Sequence, residues 1–355
     1  MICKDLKYCF EVCRIVLIFI AYIYNGIKIV KVVMKKTGLL FLWFALLFFF
    51  SCGGDDDFDP LYRQYMREFV QKISQYGRAS DENFIVIPQN GQELVTENGD
   101  EDGQPAIAYL QAIDGVGRED LFYGYNKDDK ATPEDEREYM ISYLDVCESN
   151  GVEVLVTDYC STQSKMDDSY QQNNTRGYIS FSAPDRELRK IPDYPALPYN
   201  INANDIEGLS DAKNFLYLIN PEEYASRQAF LDAVSSTNYD VIIMDYFYNS
   251  EEFTKPEITL LKTKNNGGHR LVISYLSIGE AEDYRYYWNP DWKSNPPAWL
   301  KEENPDWEGN YKVAYWDTGW QNIIYGSSGA YLDKIIDTGF DGVYLDIIDA
   351  FEYFE

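Results

Sequence analysis

Short apolar runs recur along the chain, and most of them stop at a polar residue. Phe84–Pro88, Gly115–Asp120, Glu153–Asp158 and Tyr178–Ser182 read as strands, followed by Asn214–Ile219, Val241–Phe247, Leu271–Ser277 and Gly342–Ile347. The last of these, GVYLDII behind a glycine, has the character of a buried strand. Between the runs, "TPEDEREYMISYLDVCESNG" (132–151) and "PEEYASRQAFLDAVSSTNY" (221–239) open with acidic residues and space their apolar positions by three and four. That spacing predicts amphipathic helices, and a similar pattern runs from Pro60 to Tyr76. Eight strands in βα alternation predict an α/β fold, a closed (β/α)8 TIM barrel. A doubly wound open sheet is the alternative, but no Gly-rich phosphate loop follows any strand. A parallel strand normally hands over to a covering helix, yet "GFDGVYLDIIDAFEYFE" is the end of the sequence.

The strand ends narrow the chemistry. The runs terminate at Gln89-Asn90, Glu119-Asp120, Asp158, Asp245-Tyr246, Glu280 and Asp346, with Asp349 close behind. In a barrel these ends share one mouth, where reacting groups sit. Helix capping is the competing role for Asp158 and Asp245. The chain has a single histidine, His269, in the turn-like run Asn265–His269. A Ser-His-Asp triad and a multi-histidine metal site are therefore not expected, and no cofactor is implied. A pair of carboxyl groups, one protonated and one ionised, is instead the equipment for cleaving a glycosidic bond. Aromatic residues make up 16% of the chain, and six tryptophans fall within residues 282–320. Flat rings there can stack on sugars, with Tyr275, Trp288, Trp316 and Trp320 as candidates. Core packing and loop pinning compete for about half of these rings.

The charge and the first residues bear on location. With 31 Lys/Arg against 59 Asp/Glu the net charge is −28, which repels nucleic acid and favours cationic partners at a cleft. From Met34, "MKKTGLLFLWFALLFFFSCGGDDD" shows two lysines, an apolar run too short to span a bilayer, and Ser-Cys. That is a lipoprotein signal, with Cys52 as the lipidated residue. Residues 1–33 then read as preceding the true start, 34–51 as the signal peptide, 52–58 as an acidic tether and 59–355 as the barrel. Asp55-Asp56-Asp57 after the cysteine resembles the surface-export signal of Bacteroidetes lipoproteins. It implies an outer-membrane lipoprotein displayed outward through its lipid anchor.

The stretches "LVISYLSIGEAEDYRYYW" and "GFDGVYLDIIDAFEY" resemble the barrel domain of glycoside hydrolase family 114 and its extracellular bacterial and archaeal relatives, over roughly residues 60–355. In that family the segments similar to "YLSIGEAEDYR" and "GFDGVYLD" come first, and those similar to "FIVIPQNG", "IDGVGREDLFY" and "VEVLVTDY" come after them. Here the halves are exchanged, which reads as a circular permutation. The helix expected after the last strand is then the N-terminal one, and Phe351–Glu355 should meet the chain near Phe58–Tyr65. The resemblance, to an endo-α-1,4-polygalactosaminidase-like family, implies cleavage of α-1,4-linked galactosamine polymers. It points to Asp346 and Glu119 as the reacting pair, read here as nucleophile and general acid/base of a retaining reaction. Glu280, Asp349, Asp158 and Asp245 become subsite carboxylates, Asn90 a hydroxyl partner, and Arg285 a residue that orients carboxylates. A non-catalytic surface glycan-binding lipoprotein is the alternative, against which the retained Asp346/Glu119 pair counts.

Overall fold

The computed structural model describes residues 61–355; the predicted start, signal peptide, Cys52 and tether lie outside the described residues. The described residues form an α/β fold organised by eight parallel strands: β1 (Ile85–Pro88), β2 (Gly115–Glu119), β3 (Glu153–Tyr159), β4 (Ile179–Ala183), β5 (Phe215–Leu218), β6 (Val241–Asp245), β7 (Leu271–Ser277) and β8 (Gly342–Asp346). They pair in two sheets, ordered β1-β8-β7-β6-β5 and β2-β3-β4. Representative registers are Ile85 with Gly342, Asp346 with Ser277, and Glu119 with Thr157. At one seam the sheets touch through a parallel bridge between Gln89 and Gly117, and Asp114 N–H donates to the Val86 carbonyl at 2.9 Å. At the other, the rings of Phe181 on β4 and Phe215 on β5 lie 5.7 Å apart.

Inside, large rings from one strand need small partners on the next. Gly117 on β2 faces Tyr344 of β8, whose hydroxyl would lie 2.0 Å from a Cβ at position 117. Tyr344 in turn packs edge-on against Tyr217 of β5 at 5.1 Å. These residues and the apolar strand positions, buried on both faces, form one continuous core with the covering helices.

The longer helices are α1 (Leu61–Ser80), α2 (Glu134–Ser149), α3 (Gln163–Arg176), α4 (Arg227–Ser235), α5 (Lys255–Leu261), α6 (Thr318–Ile324) and α7 (Tyr331–Thr338), with a single α-turn at Ile107–Leu110. In α1, Met66, Phe69, Val70, Ile73 and Gly77 fall on one face at helical spacing and are all buried. Helix α2 starts with Glu134, Asp135 and Glu136, which complement the positive end of its dipole. Helix α1 lies beside α7 and the residues that follow β8. Tyr76 donates to Asp333 of α7 at 2.7 Å, the Tyr62 and Phe354 rings are 5.4 Å apart, and Arg63 pairs with Glu355 at 3.0 Å.

Two local expectations change. The run Val241–Phe247 breaks after Asp245, whose Oδ1 accepts the Phe247 N–H at 2.7 Å. That bond turns the chain, and Phe247–Tyr248 pairs antiparallel with Glu251–Glu252 instead. The tryptophan-rich stretch forms a three-stranded antiparallel sheet of residues 280–282, 310–313 and 300–303.

Candidate active site

At the C-terminal ends of three neighbouring strands the backbone turns through the left-handed region at residues other than glycine. Asn90, Asp120 and Ile347 have φ of 59°, 60° and 58°, directly beyond β1, β2 and β8. Asparagine and aspartate tolerate this conformation; for β-branched isoleucine it is a strain of about 1–2 kcal/mol. Gly279 makes the turn possible, because a Cβ there would stand 2.1 Å from the Ile347 carbonyl oxygen. These turns leave Asn90, Glu119 and Asp346 lining one cleft of about 650 Å³, together with Asp245, Tyr275, Arg285 and Asp349.

Glu119 and Asp346 occupy opposite chemical settings. Glu119 Oε2 accepts from Gln89 Nε2 at 2.7 Å and Asn90 Nδ2 at 2.9 Å, and its Oε1 accepts from the Tyr159 hydroxyl. The donors are themselves fixed. Gln89 Oε1 accepts from the Tyr217 hydroxyl at 2.8 Å, and Asn90 Oδ1 accepts the Glu119 N–H at 3.2 Å. Among the described residues Asp346 has one side-chain donor, the Tyr275 hydroxyl at 2.6 Å on Oδ2. Burial pushes Asp346 up to about 7; the Tyr275 bond opposes this and the negative charge of Glu119 adds to it. Burial also raises the Tyr159 and Tyr275 phenols well above their usual range, so both stay protonated as donors.

Other charges pin the walls. Arg285 forks onto Asp245 at 2.9 and 2.7 Å and onto Glu282 at 2.7 and 3.2 Å. The clamp holds two carboxylates on one guanidinium, a geometry that suits arginine and not lysine. Arg186 lies 3.9 Å over the Tyr159 ring and grips Asp120 at 2.8 and 3.1 Å. Burial still lifts Asp120 to about 6, against that pairing. Asp349 is pushed up to about 7 by burial and then by Glu352. Among the described residues no group of three or more His, Cys, Asp or Glu could hold a metal ion. Cys147 and Cys160 are unbridged, and burial pushes both thiols up to about 12, leaving them inert.

Several residues expected at the mouth lie elsewhere. Asp158 is fully buried outside the cleft, its oxygens taken up by Phe122 and Tyr123 N–H, Ser169 and Asn173. Glu280 is fully buried against Asn304, Asn310 and Tyr353. Trp320 is core, its Nε1 donating to the Ile278 carbonyl at 2.8 Å. Trp288 packs on Trp292 and Tyr311, and Trp316 on Tyr62, Tyr65 and Phe354. His269 donates from Nδ1 to the Ile206 carbonyl at 3.0 Å, away from the cleft. Conversely, the cleft draws on Tyr159, Arg186, Tyr217, Glu282 and Trp307, none of which stands out in the sequence as a site residue. Tyr159 had a readable signal, since it follows Asp158 at a strand end and so points the opposite way.

Part of this site falls within a stretch that is similar to a known family. Residues 218–354 match the model of the glycoside-hydrolase family GH114. The match includes Asp245, Tyr275, Glu282, Arg285, Trp307 and Asp346 and leaves out Asn90, Glu119 and Tyr159. The chain is 43% identical over 155 residues to an uncharacterized protein of Methanocaldococcus jannaschii, covering 43% of this chain and 42% of that one. It is 42% identical over 120 residues to one of Thermotoga maritima, covering 34% and 36%. A Deinococcus radiodurans protein is 43% identical over 125 residues, covering 35% and 38%. The similarity thus spans less than half the length of these relatives.

Proposed function

We propose that the chain is a glycoside hydrolase that cuts a cationic polysaccharide, with Glu119 and Asp346 as the reacting carboxyl groups. The carrying observation is their asymmetry over one cleft. Asp346 titrates near 7 and Glu119 is held by three donors. Two carboxyl groups in such unlike settings can serve as acid and base.

The asymmetry supports roles opposite to those expected from the sequence. Asp346 gives its proton to the glycosidic oxygen as the bond from that oxygen to the anomeric carbon breaks. Glu119 attacks the anomeric carbon and forms a glycosyl ester. Asp346, now a carboxylate, takes a proton from water, whose oxygen displaces Glu119 and completes a retaining cycle. Tyr275 keeps the Asp346 charge tolerable between the two halves.

The substrate class is argued from charge. Eight carboxylates line the cleft against two guanidinium groups, which favours an amino sugar polymer over uronic acid chains. An α-1,4-galactosamine polymer is the specific candidate. The fold reading that goes with this is a closed barrel, supported by the contacts at both seams. Its permuted order is supported by α1 lying against the last strand's covering position. Anchoring through Cys52 at the outer-membrane surface completes the proposal.

The test is product analysis with α-1,4-galactosaminan and a panel of neutral and N-acetylated glycans. Glu119→Gln and Asp346→Asn should each lose at least about 10²-fold in rate. Azide then separates the roles. It should yield a glycosyl azide of inverted configuration with Glu119→Gln and of retained configuration with Asp346→Asn. The opposite pattern restores the assignment expected from the sequence, and glycan retention without products makes the barrel a binding module.

A further inference from the structure

The turn joining the outer strand 300–303 to the central strand 310–313 of the small antiparallel sheet carries a ring that the reacting pair does not use. Trp307 is 55% exposed, whereas every other described tryptophan is buried or half-buried, and it lines the cleft. An indole kept in water forgoes substantial apolar burial, and this one stands on a tightly built tip. Asn304 N–H donates to the Asn310 carbonyl at 2.7 Å, Asn310 N–H to the Trp307 carbonyl at 3.1 Å, and Gly309 N–H to Glu303 Oε1 at 2.8 Å.

Beneath the tip sits Glu280, fully buried and bonded by neutral donors. Asn304 Nδ2 reaches it at 2.8 Å, the Tyr353 hydroxyl at 3.1 Å and Asn310 Nδ2 at 3.4 Å. Burying a carboxylate on neutral partners is costly, and what this one fixes is the pair of asparagines that brackets Trp307. A second ring is held beside the tip. Tyr284 is 59% exposed, lines the same cleft, and donates to Glu282 at 2.6 Å. Its ring carbon Cδ1 would lie 3.7 Å from a Cβ at Gly309.

We infer that Trp307 and Tyr284 form a sugar-ring subsite on the lip of the cleft, on a different element from Glu119 and Asp346. It takes one pyranose of a glycan chain by its C–H face, and Glu308 and Asn310, which also line the cleft, meet the polar substituents. The protein thereby selects chains long enough to reach both the lip and the reacting pair. The identity of the ligand as a glycan rests on the hydrolase reading; the existence of the subsite does not need turnover.

Two readouts keep those apart. With an α-1,4-galactosamine hexasaccharide, Trp307→Ala should raise KM about tenfold, equivalent to about 1.4 kcal/mol, and lower kcat by a smaller factor. Trp307→Phe should recover most of the KM. Binding is followed separately by intrinsic fluorescence on Glu119→Gln protein, titrated with that hexasaccharide and with the N-acetylated and neutral panel. Quenching of the red-edge emission by any of these glycans, lost with Trp307→Ala, supports the subsite even if the unmodified protein cleaves none of them. Circular dichroism confirms that the variants are folded. Unchanged KM in Trp307→Ala, or no Trp307-dependent quenching by any glycan, overturns it.

Discussion

The proton on Asp346 is governed by burial, which favours the neutral acid, by Glu119, which also favours it, and by the Tyr275 hydroxyl, which favours the carboxylate. Removing the hydroxyl has a definite sign. Tyr275→Phe takes away the one side-chain donor to the ionised form, so Asp346 should hold its proton to higher pH. Hydrogen bonds to charged groups are worth about 1.5–3 kcal/mol, so the alkaline limb of the rate profile should move up by roughly one pH unit. A full pH–rate curve of kcat/KM for both proteins measures this; a limb that stays in place would mean that another group carries the proton. On the Glu119 side the support is deeper. Tyr217 holds Gln89, Gln89 and Asn90 hold Glu119, and Arg186 braces the ring of Tyr159.

Strands and helices differ in how openly the sequence displayed them. Leu271–Ser277 is a strand to the residue, and the runs at Gly115, Glu153 and Gly342 begin where expected, because apolar residues buried on both faces leave an unbroken mark. The carboxylates at strand ends were legible for the same reason. The tryptophan-rich stretch was not, since a tryptophan pinning a loop and one facing a ligand look alike in composition. Trp288, Trp292, Trp299 and Trp320 form a chain of ring contacts at 5.2, 5.0 and 5.2 Å. Trp307 differs only in standing in a turn, Asn-Pro-Asp-Trp-Glu-Gly, with no apolar neighbour. Packing between elements makes its own prediction. Gly117→Ala forces a methyl against the Tyr344 hydroxyl, and overpacking of this kind costs about 1–3 kcal/mol. Denaturant unfolding should show the loss as a lower midpoint with unchanged slope.

The molecule as a whole stores protons at its mouth. Asp346 and Asp349 titrate near 7 and Asp120 near 6, all from a usual value of 3.8. Between the usual and the raised values the folded protein binds protons that the unfolded chain has released. Stability therefore falls as pH rises through that window and levels off above about 7. Calorimetry should find a higher melting temperature near pH 5 than at pH 8. Asp346→Asn should recover part of the difference, roughly 2–4 °C for each kcal/mol, with its advantage larger at pH 8 than at pH 5. A melting temperature that does not fall between those pH values would refute the account.

Ile347 and Gly279 together set the shape of one wall of the cleft. A β-branched side chain in the left-handed region lowers stability wherever it occurs, and glycine or asparagine would relax this turn. What Ile347 fixes is the angle at which the chain leaves Asp346, with its carbonyl seated over a residue that can only be glycine. The two positions are bound to each other, since a larger residue at 279 would have to displace the Ile347 carbonyl and the Ala350 side chain together, and with them the exit angle from Asp346.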